Sequence, residues 1–112
     1  MRTAFHLTSG DEDQQKTVLT IAENLSNDET IEMDDIVVVA QSKGIDPLTV
    51  GGTHSGTVES LMTEGIEFRA CSNTLDMMDI EDGDLVEGVE KVSSGASELT
   101  RLQDDGYAYL RP

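Results

Sequence analysis

The apolar run at residues 36–40 constrains the fold more than any other part of the sequence. It reads Ile-Val-Val-Val-Ala, and four of its five side chains are β-branched. A strand with one face in water alternates between polar and apolar residues, whereas an unbroken run predicts a strand buried on both faces. Strands of this kind belong to parallel sheets that helices cover on both sides. The sequence therefore predicts the α/β class.

Strand and helix patterns alternate along the rest of the chain. Further strands are predicted at residues 3–8, 66–71, 88–92 and 107–110. Between them, apolar residues spaced three and four apart predict helices, and a short helix follows Cys71. The inner faces of the three longer helices are formed by Val18, Leu19, Ile21, Ala22 and Leu25, by Val58, Leu61 and Met62, and by Ala96, Leu99 and Leu102.

This order of elements predicts a single domain over residues 1–112, built as a three-layer α/β/α sandwich around a five-stranded, mainly parallel sheet. The expected strand order is 2-1-3-4-5. Sheets of this order bind ligands beyond the carboxyl ends of the strands, at a switch point between the first and third strands. Cys71 ends the third predicted strand, so the expected order places it at that point.

The charge of the chain restricts its partners. The net charge is −16, and the seven lysines and arginines are scattered along the sequence. Neutralising phosphates needs clustered cations, so neither nucleic acid nor a membrane is an expected partner. The carboxylates are spread along the chain, which is typical of a surface adapted to high salt, where screening weakens the repulsion between like charges. We expect a protein from a salt-adapted organism.

The sequence also carries signals about location. It has no apolar run of the roughly 18 residues that a membrane span needs, and its first residues contain no signal-peptide core. We therefore expect a cytoplasmic protein. The single cysteine excludes a disulfide within the chain and fits a reducing compartment.

Cys71 is the main candidate for a functional residue. It lies where a strand ends and a helix begins, and Ser72 and Asn73 are predicted to cap that helix ahead of Thr74. Backbone N–H groups at a helix start have no intrahelical partner, and together with the helix dipole they favour the reactive thiolate. The alternative is a small buried core residue, which is common for free cysteines.

Two histidines are candidates for assisting the thiol. His6 lies near the end of the first strand, and His54 lies in a loop that is expected to open on the same edge of the sheet. Either could form a thiol–imidazole pair with Cys71. The alternatives are a packed strand histidine at position 6 and a solvated loop histidine at position 54.

Other sites have weaker signals. The loop containing Gly51, Gly52 and Thr53 precedes a helix and is a candidate anion site, although it matches neither a Walker nor a GxGxxG pattern. No two of the cysteine and histidine residues have a recognised metal-ligand spacing. The sequence therefore predicts no metal and no cofactor.

Two segments resemble a known family. Residues 70–75, Ala-Cys-Ser-Asn-Thr-Leu, resemble the ACxNTL segment of small proteins in the DsrE-like (DsrE/DsrF, sulfur-relay) superfamily, and residues 94–112 are similar to its C-terminus. The resemblance covers essentially the whole chain. It implies a three-layer α/β fold and a homotrimer or hexamer, and it matches Cys71 to the cysteine that carries persulfide sulfur between proteins.

Two hypotheses for function follow. In the first, the protein is a sulfurtransferase-like carrier in intracellular sulfur relay, with Cys71 as the thiolate that bears the persulfide and with sulfur donor and acceptor proteins as partners. Ser72, Asn73 and Thr74 would stabilise the anion, and His6 or His54 would assist proton transfer. In the second, the chain is a non-catalytic, oligomeric binding or assembly module in which the cysteine is structural.

Overall fold

Five parallel strands form one sheet in the computed structural model, which describes residues 1–112. The strands are β1 (Arg2–Leu7), β2 (Asp35–Ala40), β3 (Glu67–Cys71), β4 (Glu90–Val92) and β5 (Ala108–Leu110). The α-helices are α1 (Glu12–Ser26), α2 (Ser55–Thr63), α3 (Ser72–Met77) and α4 (Gly95–Asp104). Short 3-10 helices cover Ser42–Leu48 and Asp82–Asp84. The α/β class and the alternation of elements are confirmed.

The strand order is β4-β3-β2-β1-β5, so the predicted order 2-1-3-4-5 is wrong. β2 lies between β1 and β3, with Phe5 opposite Val38 and Val38 opposite Phe68. Alternating strands and helices specify a parallel sheet but leave the choice of neighbours open. Because β1 and β3 do not touch, the predicted switch point between them does not exist. Cys71 still lies at the edge formed by the carboxyl ends of the strands.

The sheet separates two helix layers of unequal size, which confirms the three-layer sandwich. On one face, α1, α2 and α3 enclose a core of eighteen buried apolar residues that includes Val38 and Phe68. On the other face, α4 packs alone over a much smaller cluster. Val37 and Val39 belong to the smaller cluster, so the two faces of β2 are both buried, as the unbroken apolar run predicts.

Helix starts follow local capping rules in two cases and depart from the prediction in a third. The Asp11 carboxylate accepts the Gln14 N–H at 2.9 Å, and the Ser94 hydroxyl accepts the Ser97 N–H at 3.0 Å. Before α3, the capping position is Cys71 itself and not Ser72 or Asn73. The strand extends to residue 71 and the helix begins at the next residue, so no separate capping residue fits between them.

The inner face of α4 also differs from the prediction. Leu99 and Leu102 are buried as expected, but Ala96 is exposed and Glu98 is buried in its place. Apolar spacing alone did not identify a buried carboxylate. Its partner lies on β3, which is distant in sequence, as described below.

Candidate functional site

The Cys71 thiol lies on the side of the sheet that α4 covers. Successive side chains of a strand point to opposite faces, and in β3 Phe68 and Ala70 enter the larger core. Arg69 and Cys71 therefore face α4, and the N–H of Gly95, the first residue of α4, is among the groups that lower the pKa of the thiol. Only 6% of Cys71 is exposed. Two helix starts, those of α3 and α4, thus meet at one cysteine.

The surroundings of the thiol favour its charged form. Burial raises the pKa of Cys71, but the nearby Thr74 hydroxyl and the backbone N–H groups of Thr74, Gly95 and Asn73 act in the opposite direction. Together they hold the pKa of the thiol below its ordinary value. A buried cysteine without such donors has a raised pKa and is inert. These groups favour the thiolate form of Cys71.

Thr74 is oriented by the segment that follows β2. Its hydroxyl oxygen accepts the N–H of Ser42 at 2.9 Å, which leaves the hydroxyl proton available for the Cys71 sulfur. Ser42 has a φ of 55°, an unusual value for a residue other than glycine. This strained position costs on the order of 1–3 kcal/mol and is typical of functional sites.

The predicted supporting residues act in different ways. Thr74 contributes both its hydroxyl and its N–H, and Asn73 contributes its N–H. The Asn73 side chain is exposed and Ser72 is partly buried. The main chain at the start of α3 therefore provides more of the support than the side chains that the sequence suggested.

His6 does not lie next to the thiol. It is on β1, separated from β3 by β2, so about two strand spacings of roughly 4.8 Å lie between them. Its Nδ1 is 2.6 Å from the Tyr109 hydroxyl, and its buried Nε2 has no hydrogen-bond partner of normal geometry. Burial lowers the pKa of His6; the Gln41 side chain opposes this shift, and the charge of Arg111 adds to it.

His54 and the glycine loop lie in the helix layer on the opposite face of the sheet from Cys71. The Nε2 of His54 donates to the backbone carbonyl of Glu12 at 2.9 Å, and the Thr53 hydroxyl donates to the Glu12 carboxylate at 2.9 Å. A pocket of about 310 Å³ beside Gly51 and Gly52 has the acidic residues Glu12 and Asp46 in its lining. Their negative charge disfavours the anion that the loop was predicted to bind.

A second pocket, beside Thr74 on the helix that follows Cys71, was not anticipated. It has a volume of about 320 Å³ and is lined by Gln41, Ser42, Lys43, Thr74, Met77 and Met78. Met77 is 85% exposed, so the pocket has an apolar rim. The sequence alone could have placed Gln41 and Lys43 near Cys71, because they follow β2, which ends at the same edge of the sheet as β3.

Gly95 is a further residue that sequence reasoning missed. A Cβ atom at this position would lie 2.0 Å from the Gln41 side-chain oxygen, so any larger residue would displace the Gln41 side chain at the start of α4. The Gly95 N–H also contributes to the lowered pKa of Cys71. No group of three His, Cys, Asp or Glu side chains is placed to hold a metal ion.

Comparisons with known proteins place the fold in a recognised class. No protein-family model matches the sequence, and no curated protein does so either. The structure is similar to that of the ychN protein from E. coli, with a TM-score of 0.79 and 16% identity over 100% of both chains. It is also similar to BT1422 from Bacteroides thetaiotaomicron, with a TM-score of 0.81 and 13% identity over 99% of this chain and 94% of that one. These likenesses show that the chain shares the fold of the ychN protein and of BT1422.

A third solved structure shows the family. The chain is 38% identical to MTH1491 from Methanobacterium thermoautotrophicum, over 99% of this chain and 98% of that chain, with a TM-score of 0.92. The chain therefore belongs to the MTH1491 family. MTH1491 and BT1422 are both proteins of unknown function. None of the helices has the length and apolar character that crossing a bilayer requires.

Proposed function

We propose that the protein is a sulfur carrier of the DsrE-like superfamily, in which Cys71 accepts a sulfane sulfur from one partner and passes it to another. The observation that carries this proposal is the thiol held by N–H donors from two helix starts, which lower its pKa. A thiolate is the nucleophile in such exchange. The chain has no second cysteine, so both the donor and the acceptor are other molecules.

The transfer needs no external oxidant. The Cys71 thiolate attacks the terminal sulfur of a donor persulfide, a new S–S bond forms at Cys71, and the donor leaves as a thiolate. An acceptor thiolate then attacks the same terminal sulfur, and Cys71 returns to the thiolate. The N–H groups of Asn73, Thr74 and Gly95 stabilise the anion at the start and at the end of each cycle.

The pocket beside Thr74 is the proposed point of entry for the reacting partner. Its apolar rim at Met77 and Met78 is suited to exclude water from a protein contact, and Lys43 provides a cation for an anionic persulfide. His6 and His54 lie away from the thiol, so proton transfer by either histidine has no support in the geometry. In this proposal the main-chain N–H groups and Thr74 favour the thiolate without a neighbouring proton acceptor.

Loading with sulfur tests the proposal. The native protein is incubated with glutathione persulfide and its mass is measured, and the loaded protein is then mixed with a thiol acceptor. We expect one added sulfur atom on the wild type, loss of that atom to the acceptor, and no addition to Cys71→Ser. Thr74→Val removes one donor and should load about tenfold more slowly at neutral pH.

The matched control is the same chain unfolded in urea, which has the cysteine but not its surroundings. If the native protein loads no faster than the unfolded chain, the environment of Cys71 does not promote the reaction and the proposal is wrong.

The second candidate is a binding or assembly module in which the cysteine only packs. The low exposure of Cys71 favours it, and so do the exposed apolar residues Met77, Tyr109 and Leu110. The binding-module hypothesis predicts that iodoacetamide alkylates the native thiol more slowly than the unfolded thiol at every pH. The carrier hypothesis predicts that the native thiol is alkylated faster than the unfolded thiol at pH values below the ordinary pKa of cysteine.

A further inference from the structure

The helix that supplies Gly95 is attached to β3 by polar contacts. The apolar residues of α4, Leu99 and Leu102, pack with small side chains of β1 and β2. On the side that faces α4, β3 presents Glu67, Arg69 and Cys71, so it offers the helix no purely apolar side chain. The start of α4 is connected to β3 through β4, whose last residue, Val92, pairs with Cys71. A direct link between the side chains of α4 and β3 must come from these polar residues.

An ion pair makes that connection. The Nη1 of Arg69 donates to the Oε2 of Glu98 at 2.5 Å, and only 16% of the arginine side chain and 9% of the glutamate side chain are exposed. Arg69 is two residues before Cys71, about 6.6 Å along a strand. Glu98 is three residues after Gly95, about 4.5 Å along a helix. The ion pair and the thiol contact thus join the same strand and helix, one turn apart.

We propose that Arg69 and Glu98 are positioning residues for Cys71, whose ion pair holds the start of α4, with Gly95, beside the end of β3 where the thiol lies. Glu98 is also bonded by Arg101, at 3.1 Å, but Arg101 lies on α4 itself and cannot tie the helix to the sheet. The inference rests on the proposed function for its biological meaning, since it explains how the carrier maintains a thiolate.

The charges of these residues and their positioning of the helix shift the pKa of Cys71 in different directions when a residue is removed, so the two effects can be separated. If the side chains acted only through their charges, removing the arginine would raise the pKa of Cys71 and removing the glutamate would lower it. If they act by positioning Gly95, removing either one raises the pKa. The glutamate variants therefore decide between the two explanations.

The experiment is a pH titration of the thiolate by its ultraviolet absorbance, with the corresponding Cys71→Ser background subtracted to remove the tyrosines. The variants are Arg69→Met, Glu98→Met and Glu98→Gln. We expect each to raise the thiol pKa and to lower the thiolate fraction at neutral pH, by up to about tenfold for the methionine variants. Arg69→Lys keeps a charge pair and should lie closer to the wild type.

Arg101→Met is the matched control, because it removes an arginine from the same carboxylate but leaves the link to β3. It should change the titration much less than Arg69→Met. Circular dichroism establishes that each variant is folded, and Glu98→Gln, which preserves shape, replaces Glu98→Met if that variant does not fold. An unchanged or lowered pKa in the folded glutamate variants overturns the proposal, as does an Arg101→Met effect equal to that of Arg69→Met.

The titration does not depend on sulfur transfer. A protein that accepts no sulfur but shows raised pKa values in all three variants would contradict the carrier and support the positioning role. A protein that is loaded with sulfur but whose variants show unchanged thiol pKa values would support the carrier and contradict the positioning role.

Discussion

The two faces of the sheet are covered by different types of residues. On the face covered by α1, α2 and α3, eighteen buried apolar residues form a continuous core. On the face covered by α4, only five form a cluster, and the neighbouring positions carry Arg69, Glu98, Cys71 and His6. Burial of apolar area provides most of the free energy of folding. The larger face therefore stabilises the protein, whereas the α4 face can hold polar groups in arranged positions.

This difference explains why the candidate site lies where it does. A thiolate needs donors that are aimed at it and partly shielded from water, and such donors need a helix whose position is set by specific polar contacts. A face filled entirely with branched apolar side chains has no place for them. The smaller core under α4 gives up some stability and allows the polar contacts around Cys71.

Matched leucine substitutions give the largest expected effect. Leu19 on α1 and Leu99 on α4 are both buried, and truncating a buried leucine removes apolar contacts and leaves a cavity. We expect Leu19→Ala to lower the free energy of unfolding by about 4 kcal/mol and Leu99→Ala by about 3 kcal/mol, measured by urea denaturation. Leu99→Ala should also raise the pKa of the thiol and Leu19→Ala should not. Equal effects on the thiol would remove the distinction between the faces.

The pH dependence of stability should come in part from Cys71, with a smaller effect. Its pKa is lowered in the folded protein from an ordinary value of 9.0. The resulting stabilisation is complete above the pKa of an unfolded cysteine and is lost as the pH falls through the lower, folded-state pKa. Urea denaturation of the wild type should show stability rising with pH across that window relative to Cys71→Ser. Parallel curves for the two proteins would show that the thiol is not perturbed.

His6 should produce the smallest effect, on the acidic side. Its pKa is lowered from the ordinary value of 6.5, mainly by burial. The stability linked to the neutral imidazole is present above pH 6.5 and is lost as the pH falls through the lower folded-state pKa. His6→Asn keeps a polar group near Tyr109 but does not titrate, so its stability should fall less on acidification. A wild type that loses no more stability than His6→Asn would contradict this account.

The sequence predicted much of the fold and one part of the site. The unbroken run in β2 and the alternation of strands and helices led to the correct class and layers, because burial on two faces needs a distinct residue pattern. Cys71 became the main candidate because a strand end and a helix start were predicted to meet there, and the structure places both at that residue. Glu98 and Gly95 were missed, since a buried carboxylate and a close backbone approach depend on partners distant in the sequence. His54 lies at the starts of α1 and α2, beyond the carboxyl ends of β1 and β2, but on the opposite face of the sheet from Cys71.

The sequence by itself determined that this chain forms a parallel sheet covered by helices, with a cysteine at the carboxyl end of a strand. Local patterns suffice for that, because the period of apolar residues and the preferences of helix ends depend on near neighbours. Only the tertiary structure decided the order β4-β3-β2-β1-β5 and the meeting of α3 and α4 at Cys71. Which strands pair and which helix start faces the thiol depend on packing between segments far apart in the chain, and no local pattern records it.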